Sequence, residues 1–215
     1  MAPGNSRRLV LNNTKTIEIF EGRLSLYQAD ALFVPIDKDF APDSHKNPIY
    51  QNLCEDSCHC LLEEIKMTAN GRFDKLSGAP DGSAHLLDLG EGWLTAKYII
   101  LTVPIDYCSH SVSGPFTQIR SCCTRSAFDI SVKNALILAE GKGIASIGIP
   151  ALITEPYKLP LKDCVEVVWE KAINHLRGSL NVKRVGLVLP DTGSYKEAEA
   201  IVFPSVKERI KAYKY

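Results

Sequence analysis

One junction constrains this chain more than any other. A helical pattern over residues 118–140 runs into Glu140-Gly141-Lys142-Gly143, and residues 144–151 then read Ile-Ala-Ser-Ile-Gly-Ile-Pro-Ala. Glycine after a helical pattern is a stop signal, and a short apolar run bounded by turn signals reads as a buried strand. Residues 152–160 read as a polar loop, and a new helical stripe starts near Leu161. Helix, buried strand, loop, helix is the order of an α/β layer fold. It puts the loop at the carboxyl end of a central strand, where open α/β sheets bind ligands.

The rest of the chain repeats this alternation. Ile17-Glu18-Ile19-Phe20 reads as a half-buried strand stopped by Gly22. Residues 31–36 (Ala-Leu-Phe-Val-Pro-Ile) form a continuous apolar run, the mark of a central strand buried on both faces, with Pro35 ending its ladder. Residues 37–46 form a polar loop. Asn47-Pro48 is a helix start, a capping side chain followed by proline at the first helical position. Leu53, Cys54, Cys58, Leu61 and Ile65 then keep helical spacing toward Asn70-Gly71. Residues 84–89 and 97–103 predict two strands, and residues 106–115 a polar loop. Residues 161–176 carry a helical stripe and 182–189 a further buried strand. Two short helices follow over 194–203 and 205–212, parted by Pro204. Residues 1–12 predict a loose leader. The pattern predicts one α/β domain over 1–215, a mixed central sheet sandwiched between helices.

A chain of 215 residues can bury a sizeable core. Its 25 basic and 25 acidic residues cancel, whereas a surface built for a phosphate backbone shows a basic excess. That counts against nucleic acid as a partner. No apolar run approaches the ~20 residues that span a bilayer, and no apolar segment of a secretory signal follows Met1 to Arg8. No membrane partner is expected. Seven cysteines, an odd number set mostly in helix and strand patterns, read as packed thiols of an intracellular protein, cytoplasmic or nuclear.

The opening junction resembles a motif of the macro domain, an ADP-ribose-binding family that typically carries Ser-Ile-Ala-Phe-Pro-Ala-Ile-Gly-Thr-Gly and Tyr-Gly-Tyr-Pro at this place. Ser146 to Leu152 match the strand, and Thr154, Tyr157 and Pro160 keep the register of the loop. Gly22-Arg23-Leu24 resembles the family's Gly-Asp-Ile/Leu. Asp30-Ala31-Leu32-Phe33-Val34-Pro35-Ile36-Asp37 is similar to its Asp-Ala-Ile-Val-Asn-Ala-Ala-Asn. The strand from Lys97 to Pro104 is similar to its Tyr-Val-Ile-His-Thr-Val-Gly-Pro. The resemblance covers residues 17–201. It implies a three-layer α/β/α fold with ADP-ribose or ADP-ribosylated protein as ligand, and no cofactor or metal. Carried over residue by residue, it places Gly22, Arg23, Asp37, Ala151, Ile153, Thr154, Glu155 and Tyr157 around the pocket.

The departures fall on that pocket. Arg23 stands where the family's acidic residue holds the adenine amino group, and Asp37 where an asparagine lies near the distal ribose. Residues 38–47 replace a glycine-rich segment, and Ile153, Glu155 and Lys158 replace glycines of the second loop. Glycine lets backbone N–H groups approach a phosphate without an intervening Cβ. The resemblance therefore implies a binding or interaction module with a degenerate ADP-ribose pocket. Two alternatives stand beside it: an ADP-ribosyl-ester hydrolase or phosphoesterase with Asp37 or Glu155 as candidate catalytic carboxylate, and a nucleic-acid-binding macro-like domain.

Other chemistry-bearing residues have simpler readings. Cys54, Cys58, His59 and Cys60 have zinc-ligand types, but Cys54 and Cys58 share the buried stripe of one helix, so packed core cysteines are expected. Asp37 and Asp39 read as a solvated loop or a general-base pair. Cys108-Ser109-His110 puts nucleophile and base side by side, yet sequence neighbours rarely face each other. Tyr157 and Phe40 stack on a ligand or cover the core rim.

Overall fold

The computed structural model describes residues 5–12, 14–36, 48–56, 82–90, 94–104, 106–108, 120–154 and 157–203. Among these residues nine strands follow in chain order: β1 (Ser6–Asn12), β2 (Lys15–Glu21), β3 (Ala31–Pro35), β4 (Ala84–Asp88), β5 (Tyr98–Thr102), β6 (Asp106–Cys108), β7 (Arg120–Cys122), β8 (Ser146–Pro150) and β9 (Arg184–Leu189). The helices are α1 (Pro48–Asp56), α2 (Arg125–Gly141), α3 (Leu161–Gly178) and α4 (Thr192–Val202). Seven strands form one sheet in the order β1-β2-β9-β8-β3-β5-β4. The five inner strands run parallel, and β1 and β4 pair antiparallel at the edges.

Side chains alternate across a strand, so each inner strand feeds two cores. Ala31 and Phe33 face α2, α3 and α4, where Phe33 meets Phe128 edge to face at 6.0 Å between ring centroids. Leu32 and Val34 face the other way, against Leu53 of α1 and Leu24 of a short 3-10 turn. This is why residues 31–36, 99–103, 144–149 and 185–189 read as unbroken apolar runs: they are neighbouring strands covered on both faces. Ile17 and Ile19 are buried on one face of β2 as the alternation predicts, but Glu18 on the other face is buried too, so β2 is more enclosed than its alternation suggests.

The seam between β3 and β8 opens toward the carboxyl ends, and two prolines explain it. Backbone donors alternate sides along a strand. Ile36 N–H donates to Thr102 on the β5 side and Ala151 N–H to Val188 on the β9 side. The positions before them, Pro35 and Pro150, would therefore aim their N–H groups at each other's strand, and proline has none. The β3–β8 pairing is Ala31 with Ile147 and Leu32 with Gly148, at the amino-terminal half. Beyond it the Tyr157 hydroxyl donates to the Pro35 carbonyl at 3.0 Å and bridges the gap.

Three expectations need correction. Residues 6–12, expected within a loose leader, form the edge strand β1. Leu9 and Leu11 share its partly covered face, and Arg8 pairs with the buried carboxylate of Glu18. The stretch 106–115 is not wholly loop, because Asp106–Cys108 pairs with Arg120–Cys122. For the same reason the helix expected from residue 118 starts at Arg125. Thr124 caps it by accepting from the Ala127 N–H at 3.1 Å, the local bond that fixes a helix start. Residues 57–81, 109–119 and 204–215 lie outside the described residues. With them lie the helical spacing expected to run on toward Asn70-Gly71, the Cys58-His59-Cys60 triplet, Ser109-His110 and the helix expected over 205–212.

Candidate functional site

A small open cleft with a cavity volume of ≈ 70 Å³ lies at the carboxyl ends of β2, β8 and β9. Chain order takes β3 to β5 on one side and places β8 on the other, so this rim is the switch region where α/β sheets hold ligands. Gly22 and Arg23 enter the cleft directly after β2, followed by Leu24. Gly22 has φ 152°, and a Cβ there would sit 2.8 Å from the Phe20 ring, so the turn into the cleft requires glycine. Its N–H donates to the Leu189 carbonyl at 2.8 Å, which fixes this turn to the end of β9. Pro150, Ala151 and Thr154 form the second wall, with Val188 and Pro190 beneath.

The loop after β8 closes on itself. Leu159 N–H donates to the Leu152 carbonyl at 2.8 Å, and the N–H groups of Tyr157 and Lys158 both reach the Thr154 carbonyl at 3.0 Å. Lys158 has φ 47°, a left-handed conformation that costs a residue with a Cβ. The structure thus keeps a glycine-type backbone at a position where the resemblance implies a glycine.

The expected site residues fall into three groups. Gly22, Arg23, Ala151 and Thr154 line one cleft. Ile153 is half-buried and packs on the α2–α4 core, and Tyr157 is buried with its hydroxyl spent on Pro35. Asp37 and Glu155, with Asp39 and Phe40, lie outside the described residues.

Helix α1 supplies what the sequence reading did not assign. Ile49 and Asn52 line the cleft, and Glu55 and Asp56 each lie 3.3 Å from Arg23 Nη1. Asp56 also accepts from the Ser25 hydroxyl. Asn52, Glu55 and Asp56 are spaced i, i+3, i+4, a single helix face. That spacing was the available signal. Among the described residues, no group of three or more His, Cys, Asp and Glu side chains could hold a metal.

A second polar cluster sits under the sheet. The Tyr27 ring lies over Gly148 and Gly186, where added Cβ atoms would come within 2.5 Å and 2.1 Å of it. Its hydroxyl donates to Glu18, which also binds Arg8. Burial and the Glu18 carboxylate push the Tyr27 phenol well above its ordinary value, so it stays protonated.

No family model matches the sequence. An uncharacterised protein of Pyrococcus horikoshii is 30% identical over 118 residues, which cover 51% of this chain and 62% of that protein. Ganglioside-induced differentiation-associated protein 2 of Xenopus laevis is 28% identical over 196 residues, 89% of this chain and 35% of that protein. The chain thus spans less than two thirds of both relatives. Among solved structures, the Oceanobacillus iheyensis macrodomain with ADP superposes with a TM-score of 0.72 at 18% identity, covering 97% of this chain and 98% of that one. The Trypanosoma brucei macrodomain in complex with ADP-ribose gives 0.65 at 18% identity, covering 86% and 68%.

The seven-stranded mixed sheet between helical layers is a macro-domain-like α/β/α fold. The chain has the fold of the macro domain, with its candidate cleft at the carboxyl rim.

Proposed function

We propose that this chain is a macro-type nucleotide-binding module whose pocket has drifted away from tight ADP-ribose binding. The ADP of the Oceanobacillus macrodomain and the ADP-ribose of the Trypanosoma one support a nucleotide as the class of ligand. The observation that carries the altered pocket is Arg23. It lines the cleft as a guanidinium, with donors and no acceptor, so it cannot receive the hydrogen bonds of an adenine amino group. Ile153 and Lys158 add side chains in the loop that closes the other wall. Glu155 belongs to the same reading: a carboxylate near a diphosphate at ~4 Å opposes it by about 4 kcal/mol at an effective dielectric near 20.

On this reading ADP-ribose binds weakly, and ADP-ribosylated protein is a partner only through contacts outside the nucleotide. Calorimetry of the chain against ADP-ribose tests it. The expected result is a dissociation constant two to three powers of ten weaker than micromolar binding, equivalent to roughly 3 to 4 kcal/mol. A low-micromolar constant would overturn the altered pocket. Turnover of a mono-ADP-ribosylated protein that disappears in Asp37→Ala would replace the module with an esterase.

A further inference from the structure

The proposed module still needs a ligand that its cleft prefers, and the surroundings of Arg23 narrow the choice. This step rests on the nucleotide-binding reading above. The Arg23 side chain is 41% exposed and lines the cleft. Its contacts with Glu55 and Asp56 both run through Nη1. Among the described residues, the Nε–H and the Nη2 amino group have no acceptor. Together they form a planar fork of two parallel donors, which pairs with two adjacent acceptors in one plane.

Two ligand groups present such an edge. One is an anionic phosphate or carboxylate. The other is the O6/N7 edge of a 6-oxopurine, guanine or hypoxanthine. Local charge separates them. Arg23 brings one positive charge, and Glu55 and Asp56 bring two negative charges at 3.3 Å from it. A further anion at the fork would meet a site that is already net negative. A neutral base edge meets no such opposition. The neighbouring walls suit a flat, weakly polar ring, since Leu24, Ile49, Pro150 and Val188 supply apolar surface in the cleft that Arg23 lines. Adenine fits less well, because its equivalent edge pairs one acceptor with an amino donor that would face the Nη2 donor.

We infer that the Arg23 end of the cleft is a base subsite that selects a 6-oxopurine nucleotide over an adenine nucleotide. Arg23 is the specificity-determining residue, held in place by Glu55 and Asp56.

Calorimetry with inosine diphosphate, guanosine diphosphate and adenosine diphosphate tests this, because the first and last differ only at the purine 6-position and its adjoining nitrogen. The chain should bind inosine and guanosine diphosphates at least about tenfold more tightly than adenosine diphosphate, the discrimination of one good bidentate pair. Arg23→Ala and Arg23→Lys should each bring that ratio close to one, since lysine keeps the charge but not the fork. A thermal melt of each variant confirms that it is folded; Arg23 is exposed enough that both should be. Equal or tighter binding of adenosine diphosphate would overturn the base assignment and leave the nucleotide module standing. So would a 6-oxopurine preference that survives both substitutions. No binding of any of the three, nor of ADP-ribose, at millimolar concentration would overturn the module and the subsite together.

Discussion

At the scale of single residues, two positions show how tightly the backbone is specified. Lys158 holds φ 47° in a loop tied by three backbone hydrogen bonds. Relieving its Cβ should outweigh the extra unfolded-state entropy of glycine, so Lys158→Gly is expected to stabilise the chain by roughly 0.5 to 1 kcal/mol. A raised urea midpoint with an unchanged slope is the readout, and a lowered midpoint would mean that lysine contacts outweigh the strain. Gly186 is the opposite case. A Cβ there would sit 2.1 Å from the Tyr27 hydroxyl oxygen, and that hydroxyl is anchored on Glu18. The ring has little freedom to retreat, so Gly186→Ala is expected to cost about 1 to 3 kcal/mol through overpacking. Equilibrium denaturation of the variant checks it.

Among the elements, the ends of strands and helices carry the polar bonds that the sheet cannot supply. Tyr157 bridges the seam that Pro35 and Pro150 leave open. Tyr157→Phe should therefore lower stability by about 1 to 2 kcal/mol, the loss of a buried hydrogen bond with its acceptor left behind. A second joint ties the end of α2 to the connection between α3 and β9. Glu140 accepts from the Ser179 hydroxyl at 2.5 Å and from the N–H groups of Leu180, Asn181 and Val182 at 2.8 to 3.0 Å. Burial raises its pKa, but the Ser179 hydroxyl and those three N–H groups outweigh burial and pull it down to about 2. A folded-state value below the ordinary 4.5 stabilises only the ionised form. The contribution is complete above about pH 4.5 and fades as the pH falls toward 2. Glu140→Gln should thus be clearly less stable than the parent at pH 6, with the gap narrowing at pH 3; a constant gap would mean that shape rather than charge carries the joint.

Across the whole molecule, the sequence disclosed what has a period and concealed what depends on orientation. Residues 31–36 and 185–189 were legible because burial on both faces makes an unbroken apolar run. Strand β1 was not, because only Leu9 and Leu11 mark its covered face. Strands β6 and β7 have three residues each, too few to show alternation. Ile119 and Cys123 continued the helical spacing of α2 backward past its real start, although Thr124 supplied a capping side chain. The site divides in the same way. Gly22, Arg23, Ala151 and Thr154 could be placed together because strand ends and family resemblance both point to one rim. The carboxylates of α1 could not, because nothing in the spacing says which way that polar face turns.

The two-core architecture makes a final prediction. The α2–α4 layer covers the sheet continuously, and Cys164 lies fully buried in it, in the first turn of α3 next to the cleft loop. Burial pushes its thiol up to about 12, so the folded state holds almost no thiolate at pH 8 and reaction waits for an opening that returns the thiol to water. Its alkylation should therefore wait for loss of the whole layer rather than local fraying. Cys123, just ahead of α2, is only half-buried and packs at the margin of this layer. Mass-spectrometric peptide mapping after timed alkylation should show Cys123 modified under native conditions and Cys164 protected. Cys164 labelling should rise with urea along the same curve as the loss of far-ultraviolet circular dichroism. Early labelling of Cys164 would mean that the start of α3 opens independently, and that the cleft wall at Ala151 and Thr154 moves with it.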